Sequence, residues 1–506
     1  MLSFAVYQNG QLAKQIDLEG AYVIGSDDVP LRADLCVRDG IIECSKRAAG
    51  PAGLALLWNV EGIGRVLVET IRVQERDRPY ILQVELARGR LLRLIHKLED
   101  WETSDAHAMA TERTQIDHAR DLLIRALQAD SPADAAALAE QSLSAAMCAS
   151  ERITRLHAKQ LLVRRMESGT AARRFFGCTV SLAPPSDLLQ KRLRDAVDFV
   201  TLPLVWRDIE ATEQSFNWRP LDAWVEALAK SKTPIHASPL LSFAEQNVPA
   251  WLYLWEHDFD TLRDLAFEHV RRVMNRYGQY INAWTTISGA HATNCFTFNF
   301  EQLIELTRMS ASLAKQMSPR GTTLVEIVTP WGEYYATNQR TIPPLLYADM
   351  LIQSGVAFDA FALRLQFGPA TCLRDLFQIS TMLDQFAKLA KPLHITAVEV
   401  PSALPPNTGG ESESGLPSGS LTQPWSEQVQ AQWLESVVEI ALSKPFIESV
   451  SWHALADHSG MQVPFGGLLR SDLAPKPAYQ QFVKLRSWIT PSSPGTQATQ
   501  DQTHDR

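Results

Sequence analysis

The chain has 506 residues, of which 45% are hydrophobic and 21% charged, and its formal net charge is −9. This length allows two or three domains, and the acidic balance argues against a nucleic-acid partner, because no basic face is available to replace the counterions of phosphates. No apolar run approaches the roughly 20 residues that span a bilayer, so we expect no membrane partner. The N-terminus shows no basic segment followed by an apolar one, so we expect a cytoplasmic protein without a secretory signal.

Residue types that bind metals or form disulfides follow no recognisable spacing. The six cysteines are scattered without a C-x-x-C pair: Cys36, Cys44, Cys148, Cys178, Cys295 and Cys372. Zinc and thioredoxin-like motifs are therefore unsupported, and a disulfide framework is not expected in a core of this size. Histidines and acidic residues show no ligand spacing either. We expect neither a metal nor a cofactor.

Short β segments separated by turn residues fill residues 1–100. Strands are predicted at 53–60, 64–73 and 80–86, and this spacing favours a small β-sandwich-like module. Two interpretations of the module stay open, a carbohydrate-binding module and a structural cap on the following domain. Its densest basic stretch is interpreted as a solvated edge of a strand or helix and comprises Arg88, Arg90, Arg93 and Lys97.

Helical periodicity replaces the β pattern over residues 101–169. Ser131, Pro132 and Asp134 form a helix start, with a serine N-cap, a proline at the first position and an acid in the first turn. Apolar residues then recur at helical spacing up to residue 169. With a preceding helical stretch, the pattern predicts a helical hairpin that links the β-rich module to the rest of the chain.

From residue 170 to 488, β-rich segments alternate with amphipathic helices, which is the pattern of a parallel α/β fold. The predicted strands are 175–180, 199–204, 234–238, 283–287, 323–328, 360–365, 393–400 and 449–452. Eight such units close a (β/α)8 TIM barrel, whose functional residues lie at the C-terminal strand ends. The Gly-, Ser- and Pro-rich segment 402–424 after strand seven is predicted to be poorly ordered, with a lid over the barrel mouth as the alternative, and 489–506 is predicted to be a disordered tail.

Several motifs occur in order along the predicted barrel. They are FFGCTV at 175–180, W-x₂-IEATEQSFNW-x₃-D at 206–222, Ile235-His236 followed by Pro249 and Trp251, Trp452 with Asp457, and PKPAY at 475–479. Together they resemble glycoside hydrolase family 10, the endo-β-1,4-xylanase family. The resemblance covers residues 170–486. It implies a barrel that acts on β-linked polysaccharide without a catalytic metal.

The resemblance also places the two catalytic glutamates of that family. Its W-D-V-V-N-E and I-T-E-L-D motifs put Gly289 at the acid/base position and Ala397 at the nucleophile position. A retaining glycosidase needs two carboxyl groups ~5–5.5 Å apart, and neither residue has a titratable group. Ser288 stands where the family has a sugar-binding asparagine, and Arg364 and Gln366 stand where it has glutamine and histidine. The sequence therefore indicates a glycosidase barrel without the usual chemistry.

Two other carboxylates are candidates for recruitment. Glu399 lies on the same side of its strand as Ala397, but about 6.6 Å further along, too far to replace the nucleophile in place. A supporting role is the alternative, since the family has an aspartate there. Glu333 lies among aromatic residues after strand five, where desolvation could raise the pKa of a general acid. Alternatively, it is a hydrogen-bonding group of a sugar subsite or a loop anchor.

Seven residues are candidates for contact with a sugar. The tryptophans at predicted strand ends have flat faces that could stack on pyranose rings, whereas the histidine has either a sugar-binding or a structural role. The set comprises His236, Trp251, Ser288, Trp331, Arg364, Gln366 and Trp452.

Three functions follow from these residues. The first is a xylanase-like protein of carbohydrate metabolism that binds a β-linked oligo- or polysaccharide but has lost most or all hydrolysis, a pseudoenzyme. The second is an active hydrolase that recruits carboxylates such as Glu333 and Glu399. The third is a non-catalytic scaffold or interaction protein. Convergence of two carboxylates across the barrel mouth distinguishes the second from the first.

Overall fold

The computed structural model describes residues 1–101, 110–168, 175–338, 340–368, 371–403 and 423–489. Within these residues the chain forms small N-terminal sheets, three long helices and a closed eight-stranded barrel. Most of the segment predicted to be poorly ordered (404–422) and the predicted tail from residue 490 lie outside the described residues. No helix in the described part of the chain combines the length and apolar character that a membrane crossing requires.

The N-terminal strands form two four-stranded sheets and a two-stranded ribbon. The strands are β1 (Leu2–Ala5), β2 (Tyr7–Gln8), β3 (Gln11–Leu12), β4 (Tyr22–Ile24), β5 (Pro30–Leu31), β6 (Ala33–Arg38), β7 (Ile41–Lys46), β8 (Gly53–Val60), β9 (Gly64–Glu69) and β10 (Tyr80–Ile81). Their orders are β10-β1-β7-β6 and β5-β4-β8-β9, with β2 paired to β3. Gly62 and Gly64 adopt φ of +75° and +96° in the β8–β9 turn, a backbone conformation that favours glycine. Apolar residues of both sheets share one core.

Three helices follow the sheets: α1 (Leu82–Asp100), α2 (Ala110–Gln128) and α3 (Pro132–Glu167). The predicted helix start is present, since the Ser131 hydroxyl accepts a hydrogen bond from the backbone N–H of Asp134. The strand predicted at 80–86 is wrong beyond Ile81. Leu82, Leu86 and further apolar residues at helical spacing bury one face of α1, so Leu82 begins a helix instead.

The basic stretch of α1 is not a solvated edge, contrary to the sequence interpretation. Arg90 is 3% exposed and forms an ion pair with Asp375, which precedes a helix of the barrel. Lys97 Nζ lies 2.9 Å from Asp384 Oδ2 of the same helix. Charges on α1 therefore join the N-terminal part to the barrel.

The barrel confirms the predicted fold class. Its parallel strands close in chain order and are β11 (Phe176–Thr179), β12 (Phe199–Pro203), β13 (Ile235–Ser238), β14 (Ala283–Ser288), β15 (Thr322–Ile327), β16 (Ala360–Gln366), β17 (Leu393–Glu399) and β18 (Ile447–Trp452). β11 pairs with both β12 and β18, which completes the ring. Each lies within a few residues of its prediction, because β-rich runs and amphipathic helices alternate so regularly.

Helices surround the barrel and pack their apolar faces on its strands. They are α4 (Asp187–Ala196), α5 (Trp206–Ile209), α6 (Arg219–Ser231), α7 (Phe259–Tyr277), α8 (Phe300–Met317), α9 (Pro344–Gln353), α10 (Leu376–Ala387), α11 (Glu427–Ser443) and α12 (Pro477–Ile489), with 3₁₀ turns at Ala250–Trp255 and Glu333–Ala336.

The N-terminal part and the barrel share buried surface around α10. Phe377, 2% exposed, belongs to the hydrophobic core of the N-terminal sheets and helices. Glu151 of α3 accepts hydrogen bonds from the backbone N–H groups of Leu376 and Phe377, at 2.8 and 3.4 Å. The N-terminal part is thus packed against one side of the barrel.

Candidate functional site

A cavity of about 370 Å³ opens at the C-terminal ends of the barrel strands, and we call it the mouth cavity. It brings together five residues of the predicted site: Ser288, Trp331, Glu333, Arg364 and Gln366. Amides and hydroxyls supply much of the remaining polar lining, among them Ser242, Gln246, Asn247, Thr293, Thr371 and Gln462. The predicted strand order explains this convergence, because consecutive parallel strands end at one rim.

Glu326, at the end of β15, is the most highly connected carboxylate beside the cavity. The hydroxyls of Ser288 and Thr396 donate to it, and Arg364 Nη2 donates at 2.9 Å. Glu326 is only 1% exposed. Burial alone would raise the pKa of Glu326, but Arg364 and the two hydroxyls hold it below its ordinary value. The carboxylate is therefore ionised and fully engaged by protein donors.

A register shift in β17 makes this arrangement possible. Leu363 pairs with Ile395, whereas Arg364 pairs with Ala397, so Thr396 is an extra residue in the strand. Such a bulge redirects the side chains around it. As a result, the Thr396 hydroxyl reaches Glu326 while Ala397 stands opposite Arg364.

Glu399, a candidate for recruitment, is buried at the end of β17. It is 0% exposed, and its Oε2 accepts a hydrogen bond of 2.8 Å from Gln366 Nε2. Its other oxygen, Oε1, has no hydrogen-bond partner among the described residues. Burial raises the pKa of Glu399 to about 8, against the opposing effects of Gln366 and Arg364. At neutral pH the group is therefore protonated and shielded from the cavity.

Gly289 has a backbone conformation that favours glycine. Its φ is +65°, in the left-handed region, and its carbonyl accepts from the N–H groups of Ala292 and Thr293 in a turn. A Cβ at this position would lie 2.5 Å from Thr293 Oγ1 and 3.2 Å from a methyl carbon of Val328. An L side chain in the place that the resemblance assigns to the acid/base residue would therefore be strained and would have to displace Thr293 Oγ1.

Glu333 lines the mouth cavity but faces a cation. Its Oε2 lies 3.5 Å from Nη2 of Arg374, and its side chain is 21% exposed. Among the described lining residues, Glu333 is the sole carboxylate, since Glu326 and Glu399 lie behind the wall. Two carboxylates across the cavity, which a glycosidase of either stereochemistry uses, are thus not found in the described lining.

Three predicted sugar contacts lie elsewhere. His236 stacks on Phe199, with ring centroids 3.9 Å apart, and borders a small void inside the barrel. Trp251 Nε1 donates to the carbonyl of Glu210 at 3.0 Å. Trp452 is 0% exposed and donates to the Gly466 carbonyl at 2.8 Å. This burial corrects the assignment of Trp452 to the sugar-binding set, because no face of the indole is open to a ring.

Sequence reasoning missed Glu326 and Arg374. A signal existed for Glu326, since it is a lone acid in an apolar strand run, and a buried carboxylate normally has a partner. Arg374 carried no such signal, because its partner Tyr22 lies 352 residues away in the chain. Within the described residues, no group of three or more His, Cys, Asp or Glu side chains is arranged to hold a metal ion.

Chemically, the mouth cavity offers neutral hydrogen-bonding groups and one aromatic wall. The charge of Arg364 is compensated by Glu326, and that of Glu333 by Arg374. Trp331 contributes a partly buried indole. A lining of this kind suits an uncharged, polyhydroxylated ligand.

Solved structures of xylanases are similar to this chain. Xylanase 10B from Thermotoga petrophila RKU-1 in complex with xylobiose is 15% identical, with a TM-score of 0.47, over 65% of this chain and 97% of that one. A thermostable mutant of the xylanase Xyn10A from Cellvibrio japonicus is 15% identical, with a TM-score of 0.48, over 63% and 99%. The GH10 protein from Paenibacillus barcinonensis is 15% identical, with a TM-score of 0.48, over 64% and 97%.

No profile of a known protein family matches the sequence, and no curated protein matches it. The barrel is established by its own strand pairing.

Proposed function

We propose that the protein binds a β-linked oligo- or polysaccharide in the mouth cavity and does not hydrolyse it through a pair of carboxylates. The observation that carries the proposal is the cavity lining. Among its described residues Glu333 is the sole carboxylate, and that carboxylate is ion-paired with Arg374. Loss of the nucleophile and of the proton donor removes both covalent and general acid catalysis, the latter alone worth about 10²–10⁴-fold.

Sugar binding is supported by the chemistry of the lining. Amides such as Gln246 and Gln462 both donate and accept hydrogen bonds, which matches the hydroxyls of a pyranose. Trp331 supplies an apolar surface for a sugar ring. The motifs that resemble family 10 glycosidases favour a β-linked glycan over other polyhydroxylated ligands.

Hydrolysis with recruited carboxylates is the second candidate, and one observation favours it. A pKa of about 8 keeps Glu399 protonated at neutral pH, as a general acid requires. A general acid must, however, come within hydrogen-bond reach of the leaving oxygen. The burial of Glu399 and the engagement of Glu326 by three donors weigh against it.

The test combines turnover and binding on one protein preparation. We expect no turnover of an aryl β-xyloside or of xylan above background. Calorimetric titration with xylohexaose should show binding, weakened about tenfold in Trp331→Ala and Gln246→Ala, a loss of about 1.4 kcal/mol each. Trp488→Ala, an exposed tryptophan of α12, is the matched control and should bind as the wild type does.

Two results would contradict the proposal. Turnover that disappears in Glu333→Gln or Glu399→Gln would establish recruited carboxylates. An absence of binding across xylo-, cello- and manno-oligosaccharides would favour the scaffold alternative instead.

A further inference from the structure

Arg374 lies fully buried between the barrel and the N-terminal sheets, at 0% exposure. On the N-terminal side its Nη2 donates to the Tyr22 hydroxyl at 3.1 Å, and its Nη1 lies 3.8 Å from Glu69 Oε1. On the barrel side Nη2 lies 3.5 Å from Glu333 Oε2, and the guanidinium carbon lies 5.1 Å from the centroid of the Trp331 ring. One cation thus touches both parts of the chain.

The barrel-side partners of Arg374 belong to the wall of the mouth cavity. Trp331 and Glu333 both line it, and so does Cys372, two residues before Arg374. The N-terminal part also meets this wall at Gly20, where an added Cβ would lie 2.8 Å from Cys372 Sγ. The cavity wall on this side is therefore backed by the N-terminal sheets.

The segment that carries the two wall residues is held from the same direction. Gly332, which lies between the two, has φ +75°, and an added Cβ there would lie 3.8 Å from Pro30 Cδ of β5 and 2.6 Å from Pro344 Cδ of α9. In the following 3₁₀ turn, the ring of Tyr335 stacks under the guanidinium of Arg32, 4.7 Å away, which precedes β6. The turn is therefore held by contacts from the N-terminal part as well as from α9 of the barrel.

Arg374 has few hydrogen-bond acceptors that could replace Tyr22 or Glu69. Its Nε and Nη1 atoms have no hydrogen-bond acceptor among the described residues. A buried guanidinium that loses one of its few acceptors is strongly disfavoured in its original position. Removal of Tyr22 or Glu69 as a partner should consequently shift Arg374, and with it the residues it touches on the cavity wall.

We propose that Arg374 is a positioning residue, through which Tyr22 and Glu69 of the N-terminal sheets fix Trp331 and Glu333 on the wall of the mouth cavity. The N-terminal part is then an integral support of the ligand site and not an independent carbohydrate-binding module. The proposal rests on the proposed function for the identity of the ligand, while the support of the wall is a property of the unliganded protein.

The experiment measures the wall with and without a glycan, in the full chain. Tyr22→Phe and Glu69→Gln each remove one partner of Arg374 with little change in shape. Lys97→Met is the matched control, since its ion pair with Asp384 also joins the N-terminal part to the barrel but touches no residue of the described cavity lining. The ligand-free readout is the rate at which a maleimide modifies Cys372, followed by peptide mass spectrometry. The second readout is the affinity for xylohexaose.

We expect Tyr22→Phe and Glu69→Gln to accelerate the modification of Cys372 and to weaken xylohexaose binding, each by about fivefold or more, the usual size of coupling between sites. Lys97→Met should change neither quantity, even where all three variants lower the melting temperature equally. Wild-type rates and affinities in Tyr22→Phe and Glu69→Gln would overturn the inference, as would an equal effect of Lys97→Met. If neither the wild type nor any variant binds xylohexaose, the proposed function fails. The rates at which maleimide modifies Cys372 still test the role of Arg374 in that case.

Discussion

The carboxylate of Glu326 lies 2.9 Å from Nη2 of Arg364, and this ion pair joins β15 to β16 beside the mouth cavity. Glu326 is almost fully buried, whereas the Arg364 side chain is 25% exposed and reaches the cavity. Glu326 therefore compensates the positive charge that Arg364 presents to a ligand in the cavity. It also fixes the end of β15 against its neighbours through Ser288 and Thr396.

Glu326→Gln should destabilise the protein by about 3 kcal/mol, because it leaves Arg364 without its carboxylate in a largely buried place. Arg364→Met in the Glu326→Gln background should recover part of that loss, which a double-mutant cycle by urea unfolding would measure. Glu268→Gln breaks the exposed pair with Arg271 and is the control, with an expected cost of less than about 1 kcal/mol. Equal losses of unfolding free energy for Glu326→Gln and Glu268→Gln would show that the buried pair contributes no more to stability than the exposed one.

Glu399 should make stability fall as pH rises. Its folded pKa of about 8 lies above the unfolded value of about 4.3, so between these pH values the folded state holds a proton that the unfolded state has lost. The contribution of this group therefore declines at up to about 1.4 kcal/mol per pH unit within that window and levels off above pH 8.

Unfolding in urea at pH 5, 6, 7 and 8 would measure this effect as the difference between Glu399→Gln and the wild type. The difference should grow in favour of the variant as pH rises, because glutamine carries no titratable proton. Glu256→Gln, at an exposed glutamate, is the control and should track the wild type. A constant difference for Glu399→Gln would mean that Glu399 is ionised in the folded state.

Substitution of Gly289 should cost more than its backbone conformation explains. Gly289→Ala places a Cβ 2.5 Å from Thr293 Oγ1 at φ +65°, whereas Gly460→Ala meets open space at φ +82°. In both variants alanine must adopt the left-handed conformation, which costs about 1–2 kcal/mol of folding free energy. Only Gly289→Ala also displaces a neighbouring side-chain atom. The melting temperature of Gly289→Ala in thermal unfolding should therefore be lower than that of Gly460→Ala.

The same geometry predicts that Gly289→Glu combined with Ala397→Glu gains no turnover of an aryl β-xyloside. The new carboxylate at 289 would start from a strained backbone beside Val328. Measurable hydrolysis by this double variant, with retained folding by circular dichroism, would contradict the prediction.

Lys476 should anchor Ser402, shortly after β17, to the loop that follows β18. Its side chain is 1% exposed, and Nζ donates to Ser402 Oγ, Asp457 Oδ1 and the Phe465 carbonyl, at 3.0, 2.9 and 3.0 Å. Lys476→Met should destabilise the protein by about 3 kcal/mol, since it leaves the Asp457 carboxylate unpaired. Hydrogen exchange should then rise in the loop after β18, whereas Lys484→Met on the exposed face of α12 should change neither quantity.

Much of the fold could be predicted from the sequence. The eight barrel strands have a repeated pattern, and the Ser131 N-cap has a specific chemistry, so both were predicted close to where they lie. The start of α1 was not, because the apolar residues of 80–86 fit a strand as well as the first turns of a helix. Tertiary packing against the N-terminal sheets decides between the two.

The site was less accessible to sequence reasoning. Motif order brought Ser288, Arg364 and Gln366 to one rim, since position along a barrel strand determines the end at which a residue lies. Burial could not be derived in the same way. Trp452 stands at the expected strand end, but the loop that covers it through Gly466 is irregular and has no periodic signal.

Phe377 couples the unfolding of the N-terminal part to that of the barrel. It extends from the first turn of α10, a barrel helix, into the core of the N-terminal sheets, and Asp375, two residues earlier, is paired with Arg90 of α1. Separation of the two parts would expose this ring and leave two opposite charges without partners. Their melting is therefore coupled, so calorimetry should record a single cooperative transition, and a protease that opens the N-terminal sheets should destabilise the barrel in the same event.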